Sequence, residues 1–123
     1  MDSNVVKINP NAIDEVIIKK AIDLLKNNEI IAFPTDTVYG VGGNIFSQEA
    51  IKRIYSLKNR PQNKPINALI SSLEHLEMIV EEIPQIFQEL IKKFWPGPLT
   101  IIFKKKEEIS GKVTGGLDTI GVR

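Results

Sequence analysis

A short apolar run, Ile30-Ile31-Ala32-Phe33, breaks off into Pro34-Thr35-Asp36-Thr37-Val38-Tyr39-Gly40. A run this short, bounded by proline, reads as a buried strand rather than a helix. Its end therefore carries two hydroxyls, a carboxylate and a phenol. In open α/β sheets, polar side chains delivered at strand ends line the ligand crevice. Threonine hydroxyls and loop amides can hydrogen-bond an amino acid or a phosphate, and Gly40, Gly42 and Gly43 permit close backbone approach. The competing reading is a self-contained turn in which Asp36 and Thr37 satisfy neighbouring amides.

Around this run the chain alternates helical and extended patterns, which points to an α/β fold. Val5 to Ile8 reads as a short edge strand closed by Asn9-Pro10. A helix is predicted from about Ala12 to Lys26, with Asn11 as N-cap and a stripe of Ile13, Val16, Ile17, Ala21, Leu24 and Leu25. Ser47 caps a second helix from Gln48 to about Lys58, turning Ile51, Ile54, Tyr55 and Leu57 inward. Ile66 to Ile70 reads as a strand, and Ser71-Ser72-Leu73-Glu74 as a capping box for a helix carrying Leu73, Leu76, Ile79 and Val80. Pro84 opens a last helix with Ile86, Phe87, Leu90, Ile91 and Phe94 on one face. Trp95-Pro96-Gly97-Pro98 delivers the strand Leu99-Thr100-Ile101-Ile102-Phe103, Lys104 to Glu108 forms a solvated turn, and Ile120 to Arg123 is one more strand.

A chain of 123 residues builds one core. Its net charge of +1 supplies no global field, so anion binding must come from local clusters. With no cysteine, disulfides, cysteine metal sites and thiol catalysis are excluded. The lone His75, on the polar side of its helix, argues against a histidine metal site or triad. Met1 to Val6 has neither the basic nor the apolar segment of a signal peptide, and no apolar run approaches a membrane span. The expectation is a cytoplasmic soluble protein.

The cation cluster follows the second helix: Lys58-Asn59-Arg60-Pro61, then Lys64-Pro65. Arginine offers a planar fork for carboxylate or phosphate, and lysine a mobile point charge. In a loop stiffened by Pro61 and Pro65, these cations have little entropy to lose on binding. The dull alternative, that Lys58 and Arg60 only answer the helix dipole, leaves the prolines unexplained. Neither a P-loop nor a GxGxxG run is present, so nucleotide binding would be non-standard. Thr35, Lys58 and Arg60 are expected to converge on one cavity.

Four segments together resemble the YrdC-like threonylcarbamoyl-AMP synthase family: Ile31 to Gly40, Lys58 to Pro65, Phe94-Trp95-Pro96-Gly97-Pro98-Leu99-Thr100, and Val113 to Arg123. The resemblance implies a twisted, mixed parallel and antiparallel open sheet with flanking helices around a concave, positively charged cavity. It implies condensation of L-threonine, bicarbonate and ATP, with Mg2+, to threonylcarbamoyl-AMP and pyrophosphate, serving threonylcarbamoyladenosine modification of tRNA. Carried over by motif, Thr35 contacts threonine, Arg123 its carboxylate, Lys58 and Arg60 the ATP phosphates, and Thr119 the nucleotide. No residue is assigned as nucleophile, general acid or base, or resident metal ligand. Leu69 stands where many members carry histidine.

The family domain runs past the Gly121-Val122-Arg123 strand to a Ser-x-Asn motif, so residues 1–123 are expected to be an incomplete domain, about its first two thirds. The last strand is then expected to be an unpaired apolar edge. Alone, such a chain is expected to bind L-threonine weakly and make little adenylate. Other readings are a module binding double-stranded RNA or tRNA, with tRNA-modification proteins as partners, and an inactive fragment of the enzyme. A charge of +1 and 7% aromatics argue against the RNA module. The related carbamoyl-transfer domain of hydrogenase maturation proteins normally accompanies cysteine-rich zinc motifs, which are absent here.

Overall fold

A computed structural model describes residues 4–123, so the N-terminal reading over Met1, Asp2 and Ser3 lies outside the described residues. In chain order the elements are α1 (Glu15–Lys26), β1 (Ile31–Phe33), β2 (Gly40–Gly42), α2 (Gln48–Leu57), α3 (Leu73–Ile79), α4 (Gln85–Phe94), β3 (Ile101–Lys104) and β4 (Thr119–Val122). The α/β class holds. A single mixed open sheet does not form among the described residues. β1 pairs antiparallel with β2, and β3 with β4, as separate two-stranded sheets. The parallel component is one bridge, Ala68 to Val122, with Ala68 N–H donating to Gly121 O at 2.8 Å and Arg123 N–H to Ala68 O at 2.9 Å.

This bridge corrects the expectation for the last strand. β4 has β3 on one side and the extended segment 66–70 on the other, so it is interior rather than an unpaired edge. Ile120 and Val122 are fully buried for that reason. They meet Ile101 and Phe103 of β3, Leu76 and Ile79 of α3, Ile91 of α4 and Ile51 and Tyr55 of α2 in one cluster. Phe87 packs its ring edge-on to Phe103 at 5.3 Å, and Trp95 sits 6.4 Å from the same ring. Trp95 also donates its indole N–H to Leu99 O at 2.7 Å, satisfying the polar atom that its half-burial would otherwise strand.

Several boundaries move. Residues 5–8 form no strand and are exposed. α1 starts at Glu15, capped by Asp14, whose carboxylate accepts from Val16 N–H at 2.9 Å. Asn11 instead donates its N–H to Asn9 in the preceding turn. Ile17, Ala21 and Leu25 of α1 are half-buried, while Ile13, Val16 and Leu24 are exposed. Ser72 rather than Ser71 caps α3, accepting from His75 N–H. Leu57, Leu73, Ile86 and Phe94 face outward. Each lies at or next to a helix end. Lys104 belongs to β3, and Lys105 is anchored by Ile109 O at 3.0 Å, so that turn is less solvated than its charge implies. Strand β2 escapes sequence reading because Gly40 and Gly42 carry no strand propensity. The Phe33 ring lies over both, and a Cβ at Gly42 would come within 2.9 Å of it.

The turn before β4 packs on the cationic loop through a glycine. Gly115 has φ +61°, and a Cβ there would lie 2.6 Å from Asn63 O and 3.1 Å from Pro65 N. Both a left-handed backbone and a backbone contact thus oppose any side chain. Gly115→Ala is expected to cost about 1–3 kcal/mol of folding stability. Urea unfolding of the two proteins side by side checks this, and equal midpoints with equal slopes would refute it.

Candidate functional site

The loop 34–39 connects β1 to β2 and is held by its first threonine. Thr35 Oγ1 accepts from Thr37 N–H and Val38 N–H, both at 3.2 Å, and donates to Val38 O. Its hydroxyl is therefore consumed in building the turn. A ligand would reach it only by replacing one of these bonds. This is the self-contained turn raised from the sequence, with Thr35 rather than Asp36 as its keystone. The Asp36 carboxylate is left to point elsewhere, and it meets Arg123.

Arg123 reaches this loop across most of the chain. Its Nη2 donates to Asp36 Oδ1, forming an ion pair, and to Thr37 Oγ1 at 3.1 Å. The backbone at Arg123 is fixed by its N–H bond to Ala68 O and by Ile70 N–H donating to its carbonyl at 3.0 Å. Alternation along β4 buries Ile120 and Val122, so Thr119, Gly121 and Arg123 share the other face. Thr119 pairs with Lys104 of β3 on that face.

The cation loop is shaped by the end of α2. Asn59 takes φ +48°, Asn59 N–H donates to Ser56 O at 3.2 Å, and Arg60 N–H to Tyr55 O at 3.0 Å. This is the paired hydrogen-bond pattern that closes a helix through a left-handed residue. It turns the chain back so that Arg60 can donate from Nη2 to Pro65 O at 2.8 Å. Tyr55 adds a bond from its phenol to Lys64 O at 2.7 Å. Burial pushes the Tyr55 phenol above its ordinary pKa, with the Arg60 charge opposing.

Lys58 and Arg60 share a cleft of about 200 Å3 with Val41, Ile54, Pro65, Ile66 and Asn67. The two cations thus converge as expected. Thr35 does not line this cleft; Val41, from the strand that its loop feeds, does. Thr119 and Arg123 also lie outside the lining and belong to the neighbouring strand face. Asn67 joins the two regions. Its carboxamide lies over Gly121, where a Cβ would overlap Oδ1 and approach Thr100 Cγ2 to 3.1 Å. Sequence reading missed Asn67 and Gly121, and missed Asp36 as the partner of Arg123. The only available signal for Gly121 was a glycine inside a strand, which marks close approach. His75 is exposed and bonded to Ser71, apart from both regions.

Residues 23–123 match the Sua5/YciO/YrdC family, described as telomere recombination, and the chain belongs to that family. The threonylcarbamoyl-AMP synthase of Pyrococcus abyssi is 44% identical over 111 residues, covering 90% of this chain and 33% of that protein. The threonylcarbamoyl-AMP synthase of Bacillus subtilis is 42% identical over 107 residues, covering 86% of this chain and 31% of its own length. The crystal structure of P. abyssi Sua5 complexed with L-threonine superposes with a TM-score of 0.89 at 44% identity, over 91% of this chain and 33% of that one. The chain thus spans about a third of the length of these relatives. No helix among the described residues is long and apolar enough to cross a membrane.

Tyr55 offers a test of how the cation loop is held. An unfolded tyrosine titrates near pH ~10 and the folded one higher, so between those values the folded state holds more protons. That contribution to stability is complete below about pH 10 and is lost as pH rises through the folded value. Tyr55→Phe removes the titration together with the bond to Lys64 O. It is expected to be less stable than the parent by about 1 kcal/mol at neutral pH, with the gap narrowing above about pH 10. Denaturant curves at both pH values would read this, and a gap that stays constant or widens would contradict it.

Proposed function

We propose that this chain carries the substrate-binding face of an L-threonylcarbamoyladenylate synthase. The reaction condenses L-threonine, bicarbonate and ATP to threonylcarbamoyl-AMP and pyrophosphate, for threonylcarbamoyladenosine modification of tRNA. The observation that carries this reading is the meeting of Arg123 with the 34–39 loop, next to a cleft holding Lys58 and Arg60. One region suits an amino acid and the other a polyphosphate. The relatives named as threonylcarbamoyl-AMP synthases, and the L-threonine complex among them, support the same assignment.

Arg123 receives the threonine carboxylate, and Thr35 acts through the loop it builds. Lys58 and Arg60 neutralise phosphate charge, and Thr119 lies toward the nucleotide on the open face of β4. No side chain at these positions is a strong nucleophile. The contribution of the chain is therefore to hold reactants together and to offset developing charge. Among the described residues no three His, Asp or Glu side chains group to hold a metal ion. The cleft is cationic and matches phosphate oxygens, so magnesium enters with ATP, as part of the substrate.

Titration calorimetry with L-threonine is expected to show saturable binding that weakens about tenfold or more in Arg123→Ala. Absence of binding, or binding indifferent to that substitution, would overturn the assignment. In the cleft, Arg60→Lys loses a planar fork and its bond to Pro65 O, although charge is conserved. It is expected to weaken MgATP binding about fivefold to tenfold while leaving L-threonine affinity unchanged. Equal MgATP titrations for the two proteins would remove Arg60 from the phosphate site.

A further inference from the structure

Asn67 is the one uncharged polar side chain lining the cleft of Lys58 and Arg60. The backbone around it is fixed on both sides. Ile66 N–H donates to Val113 O at 2.8 Å, Ala68 N–H to Gly121 O at 2.8 Å, and Arg123 N–H to Ala68 O at 2.9 Å. Ala68 is buried, so alternation turns Asn67 to the same open face as Gly121 and Arg123. There its carboxamide lies over Gly121, in space that a Cβ would fill. Oδ1 is its atom nearest that glycine, which leaves Nδ2 as the farther end. The side-chain hydrogen bonds of this region run from Tyr55 and Arg60 to Lys64 O and Pro65 O, and none involves Asn67 among the described residues. Its two N–H donors are therefore free for a ligand.

The cleft, at about 200 Å3, is smaller than the roughly 300–1,000 Å3 of sites that enclose a whole ligand, so it takes phosphates and not a complete nucleotide. A polyphosphate seated on Lys58 and Arg60 passes Asn67 as it leaves the cleft for the β4 face, where Thr119 and Arg123 stand. The phosphate next to the nucleoside, which the amino-acid substrate must meet, then falls at this rim. We propose that Asn67 is the hydrogen-bond donor to the α-phosphoryl group of ATP, its Nδ2 bonding a non-bridging oxygen there while Lys58 and Arg60 hold the β- and γ-phosphates. This deepens the proposed function and rests on it, since it adds a residue that meets the reacting atoms. In that reaction a carboxylate oxygen of N-carboxythreonine bonds to the α-phosphorus. The bond from the α-phosphorus to the oxygen bridging to the β-phosphate breaks, and its electron pair leaves on pyrophosphate. Negative charge stays on the non-bridging α-oxygens throughout, where a fixed N–H dipole offsets it. The stronger charge pairing is kept for the two phosphates that depart together.

Calorimetry on the 123-residue chain with AMP, magnesium pyrophosphate, adenosine and L-threonine tests this. Asn67→Leu keeps the shape of the side chain and removes its donor and acceptor. It is expected to weaken AMP binding about fivefold to tenfold, and to leave magnesium pyrophosphate, adenosine and L-threonine within about twofold of the parent. Asn67→Asp keeps the acceptor, loses the donor and adds a negative charge, so AMP affinity is expected to fall at least as far. AMP affinity unchanged in either variant overturns the inference. An equal loss for pyrophosphate in Asn67→Leu moves the contact to the departing phosphates, and an equal loss for adenosine moves it to the nucleoside; each overturns it as well. So does a parent that binds no AMP. All of these leave the proposed function standing as long as L-threonine binding depends on Arg123. No L-threonine binding by the parent overturns both.

Discussion

Pairing on both sides of β4 is the constraint on which the rest depends. One flank is β3, the other the extended segment around Ala68, and together they bury Ile120 and Val122 completely. Because side chains alternate along a strand, burying those two residues obliges Thr119, Gly121 and Arg123 to face the other way. The apolar core and the polar site are thus set by the same short strand. A shift of register by one residue would exchange them.

The cation loop is tied to this strand through small contacts rather than through a large interface. Gly115 lets the turn ahead of β4 sit against Asn63, and Ile66 N–H bonds Val113 O at 2.8 Å. Tyr55, from the buried face of α2, reaches Lys64 O and so links the loop to the core. Lys58 and Arg60 therefore stand on a base with little freedom, which suits positional chemistry better than mobile charges would. By contrast, α1 buries none of its residues fully and touches chiefly β1. The β1–β2 hairpin joins the rest through α2 and the Arg123 ion pair, so the site itself supplies part of the attachment between the two sheets.

Much of this architecture is legible in short-range patterns of the chain. The four motif segments point to the family, Lys58 and Arg60 fall into one cleft although Lys64 is not in its lining, and Ser47 caps α2 as its spacing suggests. Local signals of this kind depend on residues within one helical turn or one loop. The single mixed sheet was not borne out, because its parallel part amounts to one bridge, and β2 was hidden by glycines that the Phe33 ring covers.

By itself, the sequence determined the loop at 34–39, the cation loop at 58–65, the Ser47 cap of α2 and, to within one residue, the last strand. Those follow from proline, glycine, capping side chains and apolar periodicity, all of which act over short range. Only the tertiary structure decided that β4 is an interior strand, that Thr35 is spent on its own turn, and that Asp36 is joined to Arg123. The reason is physical: a carboxylate has many possible cations in a chain with 16 Lys and Arg, and packing alone selects which one stands beside it. The core that buries Val122 places Arg123, and with it the charge that Asp36 meets.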